Sequence, residues 1–380
     1  MNTEYQLCTR CVMDSSDPAI SFNTQGICNH CREFDEVSSK GWFPNEEGAR
    51  RLAVMVDQMK AAGKGKPYDC ILGLSGGVDS SYLALKVYEQ GLRPLVVHVD
   101  AGWNSELAVA NIEKIVKFCN FDLHTHVVDW EEMRDLQLAF LRSGISNQDV
   151  PQDHIFFASI YHYATKHGIK YVLSGGNLAT EGIYPKSWTG SAMDAINLHA
   201  IHRKFGQRRL KDYKTVSFFD YYLWYPFVKQ LRTVRPLNYM PYDKKMAVTE
   251  LEQKIGWRAY GRKHGESIFT KFFQNYYLPA RFGYDKRRPH FSSLIVSGQM
   301  SRDEAMEKLS EPLYSPNELE ADISYLCKKL GIGRNDFEEL ILAPQHSYLE
   351  YPNWISLQNF IKKMQRLSFR MTGKKITIYS

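Results

Sequence analysis

Four cysteines stand at positions 8, 11, 28 and 31, two Cys-x2-Cys pairs separated by sixteen residues. That spacing lets the chain approach one tetrahedral ion from two knuckles, as in a zinc ribbon. Four thiolates leave no open coordination position, so zinc held there is structural. Residues 1–45 carry too little apolar area to fold alone, and metal binding supplies the missing free energy. His30 competes as a ligand, and a redox pair or free surface thiols compete as uses. Seven cysteines in all, with Cys70, Cys119 and Cys327 scattered, do not form a disulfide framework.

A second group is Ser75-Gly76-Gly77-Val78-Asp79-Ser80-Ser81. Glycines allow positive φ and close backbone approach, so successive amides at a helix N-terminus can converge on one anion. A pyrophosphate fits that description. The loop is neither Gly-x4-Gly-Lys-Ser/Thr nor Gly-x-Gly-x-x-Gly, so a different phosphate cradle is required. Ser75, Ser80 and Ser81 add hydroxyl donors, and Asp79 either caps the helix or holds Mg²⁺ against phosphate charge.

These groups need elements to position them. Cys70 to Leu74 reads as a buried strand, and Tyr82, Leu83, Leu85 and Val87 follow at helical spacing. Pro94 to Val99, His124 to Val128 and Tyr171 to Leu173 are further strands, with helices over 105–119, 130–142 and 154–168 between them. Strands apolar on both faces that alternate with helices predict a doubly wound parallel α/β domain over 46–200. The ribbon, 1–45, precedes it. Residues 201–300 are basic and aromatic, with seven aromatics in Phe218 to Phe227, and read as substrate-binding. Ser301 with Glu304 and Ser315 with Glu318 are capping pairs that start a helical region over 301–380.

Hydrophobic residues make up 44% of the 380, which excludes disorder as the main state. No apolar run approaches the roughly 18 residues a membrane span needs, and the N-terminus lacks the pattern of a secretory signal. The expectation is a soluble, cytoplasmic protein. Net charge is only +6, but residues 201–290 hold 20 Lys+Arg against 7 Asp+Glu. That segment is +13 and the rest of the chain −7.

Ser75 to Ser81 after a buried strand resembles the loop of the PP-loop ATP pyrophosphatases. The resemblance implies a five-stranded parallel sheet and ATP cleaved between its α and β phosphates. It also implies that Ser75, Gly76, Gly77, Asp79, Ser80 and Ser81 hold pyrophosphate, and that His98, Val99 and Asp100 meet the adenosine. Ser174-Gly175-Gly176-Asn177 is similar to the second glycine loop that closes on the nucleotide through Gly175, Gly176 and Asn177. Cys-Thr-Arg-Cys-Val-Met-Asp at 8–14, the second cysteine pair, His98 to Gly102, and His264-Gly-Glu-Ser-Ile-Phe-Thr-Lys271 narrow the likeness. To about residue 310 the chain resembles the N-acetyl sugar amidotransferases of surface polysaccharide and lipopolysaccharide assembly. Such enzymes turn an acetamido group of a nucleotide-linked diacetamido uronic or nonulosonic acid into an acetamidino group, using ammonia from a partner glutaminase. Ser75 and Asp79 would then assist expulsion of pyrophosphate.

Glu181 is the candidate for orienting ammonia or taking its proton, with a solvated loop glutamate as the plain alternative. Lys186 carries the same two readings. Lys271, Arg281, Lys286, Arg287 and Arg288 are candidates for a substrate diphosphate and sugar carboxylate. A solvated basic face is their alternative. His264 and Glu266 either bind substrate or satisfy a turn. The aromatic runs, Trp103 and Trp188 either stack a base or fill the core. Two other functions remain open: an RNA-modifying PP-loop enzyme such as a tRNA thiolase, whose RNA face would be 201–290, and a nucleotide-binding scaffold without catalysis. Thiolation needs a reactive cysteine, and neither Cys70 in a buried strand nor Cys119 at a helix end offers one.

Overall fold

Short runs of Val, Ile and Leu between glycine turns form five strands. The computed structural model describes residues 5–261 and 265–372, with side chains to residue 366. After the cysteine-bearing loops come α1 (Asn29–Gly41) and α2 (Glu46–Ala62). The α/β part follows as β1 (Cys70–Gly73), α3 (Val78–Glu89), β2 (Pro94–Asp100), α4 (Glu106–Cys119), β3 (Asp122–Val127), α5 (Trp130–Ser143), α6 (Val150–Lys166), β4 (Tyr171–Leu173) and α7 (Leu178–Glu181). The fifth strand, β5, is Arg232–Val234. The sheet runs β3-β2-β1-β4-β5, and each neighbouring pair is parallel. The expected parallel α/β class is therefore observed. β5 comes from the segment read as substrate-binding, because a three-residue strand ending in Arg-Pro leaves too short a pattern to read.

Strand side chains alternate between two cores. Ile71, Leu95, Val97, Val99 and Val172 point to one face, where α5 and α6 cover them. Cys70, Leu72, Val96, Tyr171 and Leu173 point to the other, under α2, α3 and α4. Both faces are thus dry, as a parallel sheet requires. β3 is an exception to the reading of buried strands: it is an edge, with Leu123 and Val127 exposed.

The helices start where capping chemistry places them. Ser105, Asp129 and Asn177 each accept an amide from the first turn of α4, α5 and α7. In the C-terminal region Ser301 and Ser315 cap the helices Arg302–Ser310 and Pro316–Leu330 as their spacing predicts. The helices Arg334–Leu342 and Ile355–Thr372 follow. Phe269, Phe272, Phe273 and Tyr277 are buried, so that aromatic run fills the core. The run at Phe218 to Phe227 divides: Phe218, Tyr221 and Tyr222 pack on Trp354, while Phe219, Trp224 and Phe227 face outward. Trp103 and Trp188 are buried, core rather than stacking platforms. Among the described residues no helix is long and apolar enough to cross a membrane.

His154 on α6 is completely buried and lies 2.9 Å from the Ala192 carbonyl through Nδ1, while Nε2 accepts the Val216 amide at 3.1 Å. Those partners require the neutral ring with its proton on Nδ1. Burial lowers its pKa to about 4. A base depressed in the fold stabilises it fully above its unfolded pKa near 6.5, and that contribution fades as pH falls towards 4. Denaturant titration from pH 7 to pH 4 is expected to show a loss of about 3 kcal/mol from this group. His154→Gln should be less stable at pH 7 and show a shallower pH slope; an unchanged slope would remove the assignment.

Candidate functional site

The four cysteines come together as their spacing predicts. Cys8 Sγ and Cys31 Sγ are 4.0 Å apart, Cys11 Sγ and Cys28 Sγ 3.7 Å, and all four sulfurs lie within 4.8 Å of one another. Tetrahedral zinc–thiolate bonds of about 2.3 Å set sulfur–sulfur separations of roughly 3.8 Å, so the residues fit a zinc ion. Amides of Arg10, Cys11 and Cys28 donate to Cys8 Sγ and that of Met13 to Cys11 Sγ. All four thiols are buried, which rules out free surface cysteines. His30 is not a fourth ligand: its Nε2 sits 2.6 Å from Asp17 Oδ2, and Asp17 also accepts from Ser187.

The ribbon braces the segments that wall the site. Arg302 donates to the Cys8 and Cys11 carbonyls, Arg288 to the Val12 carbonyl and Asp14, and the Ser292 hydroxyl accepts the Val12 amide. Ile183 and Trp188 pack into the cysteine cluster, and Trp188 stacks on Tyr284 at 4.6 Å.

Ser75 to Gly77 turn between β1 and α3. Gly76 has φ +86°, and a Cβ there would lie 2.9 Å from the Ala108 carbonyl oxygen. Only glycine suits that position. Gly77 is the N-cap of α3 and has no side chain to satisfy the first-turn amides, so they are left for an anion. Ser75 Oγ accepts the Gly77 amide at 3.3 Å and is 3.1 Å from Ser80 Oγ. Both hydroxyls are thereby held at the loop. Ser81 departs from the reading: it is fully buried on the inner face of α3, away from any ligand.

Asp79 ties this loop to the second glycine loop. Its Oδ1 accepts from Asn177 Nδ2 at 3.0 Å, Thr180 Oγ1 at 3.3 Å and Tyr242 OH at 2.6 Å. Gly175 lies so close that a Cβ would be 3.1 Å from Ser80 N. Glu266 approaches from the other side, its Oε1 3.4 Å from where a Gly77 Cβ would be. Two carboxylates therefore flank the cradle, a donor set suited to Mg²⁺ beside phosphate. His264 lies outside the described residues.

His98 is buried with Nδ1 2.9 Å from the Leu74 carbonyl and Nε2 3.1 Å from Asn104 Nδ2. Its ring is a strut beneath the loop, leaving only its backbone to meet a nucleotide. Val99 is buried in β2. Asp100 Oδ1 accepts the Gly102 amide at 2.8 Å and Asn104 Nδ2 at 3.1 Å, which shapes the turn after the strand.

Beyond Gly176 stands a group of acidic side chains. Glu181 Oε2 is 3.6 Å from where a Gly176 Cβ would stand. Asp149 and Asp153, one turn apart around the N-terminus of α6, face the same space. Burial raises the pKa of Asp149, opposed by the Thr270 hydroxyl and Lys286. Desolvation and the Asp149 charge raise that of Asp153, with Glu181 adding to it. Asp153 is exposed at the start of α6. Lys286 reaches both aspartates electrostatically and lies 5.2 Å from the Tyr184 ring.

Of the five cations expected to face substrate, Lys286 alone lies beside these aspartates. Arg281 is buried, its guanidinium donating to the carbonyls of Leu340, Ile341, Ala343 and Pro344. Arg287 is spent on Asp285 and the carbonyls of Lys308, Leu309 and Glu311. Arg288 pairs with Asp14 and Lys271 with Asp322 at 2.6 Å. A buried helix end must satisfy its carbonyls, and an arginine fork does so efficiently. Lys186 is exposed. Asp149, Asp153, Tyr184 and Tyr242 are the residues that sequence reasoning missed. Aspartates at i and i+4 in an otherwise apolar helix were the available signal.

Residues 266–365 match the family model described as the LPS biosynthesis protein WbpG-like, C-terminal domain. The C-terminal part of the chain is therefore similar to a domain of lipopolysaccharide biosynthesis proteins, in line with the resemblance read from the motifs. No curated protein matches the chain significantly. Among solved structures, an NH3-dependent NAD synthetase from Campylobacter jejuni is 16% identical with a TM-score of 0.27, covering 34% of this chain and 57% of its own. An NMN synthetase from Francisella tularensis is 14% identical with a TM-score of 0.29, covering 74% and 93% respectively. An NAD+ synthetase from Burkholderia pseudomallei is 18% identical with a TM-score of 0.28, covering 60% and 94%.

Two outcomes test this geometry. Metal analysis should find about one zinc per chain, lost in Cys8→Ser together with a lowered melting temperature; a metal-free protein of unchanged stability would exclude the ribbon. Gly76→Ala should weaken binding of inorganic pyrophosphate at least tenfold, read by calorimetry, since the loop must shift to admit a Cβ. Equal affinity would move the anion elsewhere.

Proposed function

We propose that the protein is an ATP-dependent, AMP-forming amidotransferase. Its substrate is an acetamido group of an anionic nucleotide-linked sugar, and the pathway is surface polysaccharide assembly. One observation carries this reading: an uncapped helix N-terminus with a glycine cradle meets the second glycine loop at Gly175, and Glu181 stands beside Gly176 with Asp149, Asp153 and Lys286 in electrostatic reach of one another. Pyrophosphate-holding and nitrogen-handling groups thus adjoin.

An amide carbonyl is a poor electrophile, and its oxygen leaves only once activated. The acetamido oxygen attacks the α-phosphorus, a new O–P bond forms, and the bond to the β-phosphate oxygen breaks. The first-turn amides of α3, with Ser75 and Ser80, receive the departing pyrophosphate. Asp79 and Glu266 would hold Mg²⁺, which neutralises phosphate charge when bound. Ammonia then adds to the imidate carbon and AMP leaves, giving the acetamidino group. Asp153 and Glu181 attract ammonium and take its proton, and their mutual repulsion suits that task. Lys286 orients a carboxylate or phosphate of the sugar. Ammonia comes from a partner glutaminase.

The thiolase alternative is less well supported. Burial raises the thiol pKa of Cys119 to about 12 and pushes that of Cys70 up further, and burial also raises Cys327. None is poised as a thiolate. Four of the 20 cations offered to RNA, Lys271, Arg281, Arg287 and Arg288, are also tied down in the ion pairs and carbonyl contacts above.

The decisive assay supplies ATP, Mg²⁺, ammonium and a panel of N-acetylated nucleotide sugars, and follows products by mass spectrometry. AMP and pyrophosphate should form in equal amounts with an oxygen-to-NH mass change in the sugar; ADP and phosphate would overturn the proposal. Asp153→Asn should lower kcat with ammonium about a hundredfold and leave the KM for ATP unchanged. Because the pKa values of Asp149 and Asp153 are raised, activity should climb with pH beyond the usual carboxylate range. Asp153→Asn should shift that limb; an unshifted limb would remove the aspartate from proton transfer.

A further inference from the structure

A second cleft lies at the carboxyl ends of β2 and β3. It is a groove of about 690 Å³ between the α/β part and the C-terminal helical region. One wall is Asp100, Trp130 and Arg134, and the other is Tyr325, Lys328 and Lys329 from the helix Pro316–Leu330. Its size is that of a small-molecule site, and such sites favour junctions between domains. The Lys329 ammonium lies 4.8 Å from the Trp130 ring centre, 5.4 Å from that of Trp103 and 5.6 Å from that of Tyr325. Arg134 also donates to Glu131. Among the described residues neither Lys328 nor Lys329 forms an ion pair. The groove therefore combines aromatic faces with two unpaired lysines, which outnumber the Asp100 carboxylate in its wall.

Adenosine is neutral, and the ATP phosphates have their cradle at α3, so ATP leaves these lysines without a partner. We propose that the groove binds the nucleoside diphosphate end of the sugar substrate, with the base against Trp130 and Tyr325 and the diphosphate at Lys328, Lys329 and Arg134. This site rests on the nucleotide-sugar reading above for its biological ligand. The lysines also suit the negative end of their helix, a role that needs no ligand and that the following experiment separates.

UDP is titrated calorimetrically into the full chain and into K328Q/K329M, which keeps most of the aliphatic packing. UDP should bind the wild type and bind the variant about tenfold more weakly, with uridine binding weakly to both and the melting temperature unchanged. No UDP binding, equal affinity in wild type and variant, or equal binding of uridine would overturn the proposal. ATP is titrated in parallel: an affinity that falls in step with that for UDP would make the groove part of the ATP site and also overturn it. If UDP binding depends on the lysines while no sugar is amidinated, the groove stands and the functional reading falls. If amidination proceeds and UDP affinity ignores the lysines, the reverse holds.

Discussion

One carboxylate oxygen holds the site together. Asp79 Oδ1 takes donors from Asn177, Thr180 and Tyr242, which belong to α7, its cap and the segment that follows β5. The first helix after β1 is thereby locked to the loop after β4. Hydrogen bonds to a charged acceptor are worth about 1.5–3 kcal/mol each, and three of them on one oxygen over-determine the position of the α3 N-terminus. A phosphate cradle depends on that rigidity, because amides that must reorganise at the moment of reaction stabilise little. The buried Tyr242 hydroxyl is held as a donor here, since burial and the Asp79 charge push its pKa far up.

The ribbon serves the same end from a distance. It contributes no group to the cradle, yet Arg288 and Arg302 reach back to its loops, and Ile183 and Trp188 pack into its core. Between those anchors lie Tyr184 and Lys286, 5.2 Å apart. An ion held by the four thiolates would thus brace a surface it does not touch. A 45-residue segment that folds around four thiolates is a stiff prop, and stiffness is what a cleft assembled from loops lacks.

How much of this was legible follows from what each pattern encodes. The cysteine spacing and the Ser75 to Ser81 loop are local, so their chemistry survives in sequence, and Gly76 shows why: its positive φ and the nearby Ala108 carbonyl permit no side chain. The sheet was legible through alternating apolar runs, except β5, whose three residues are too few. Ser81 and His98 sit inside the two motifs and still turn into the protein, because motif membership does not specify which way a side chain points. Asp149 and Asp153 were missed for the opposite reason. They stand at the start of a helix that reads as core, and only the fold brings them within electrostatic reach of Lys286.

Charge carries the largest correction. An excess of +13 over residues 201–290 reads as a surface awaiting polyanions, but the structure uses four of the five cations picked out for substrate as internal fastening. Arg281 and Arg287 together fasten two helix ends whose carbonyls would otherwise be stranded, and Lys271 joins its helix to Asp322. Cations engaged in this way are unavailable to a ligand, since withdrawing one leaves buried acceptors unsatisfied at about 1–3 kcal/mol each. Lys286 differs in lying beside Asp149 and Asp153 rather than under a helix end. Recognition is therefore better read from where positive charge is left without an ion pair than from where it is abundant in sequence, and that criterion selects the lysine pair at the end of the helix Pro316–Leu330.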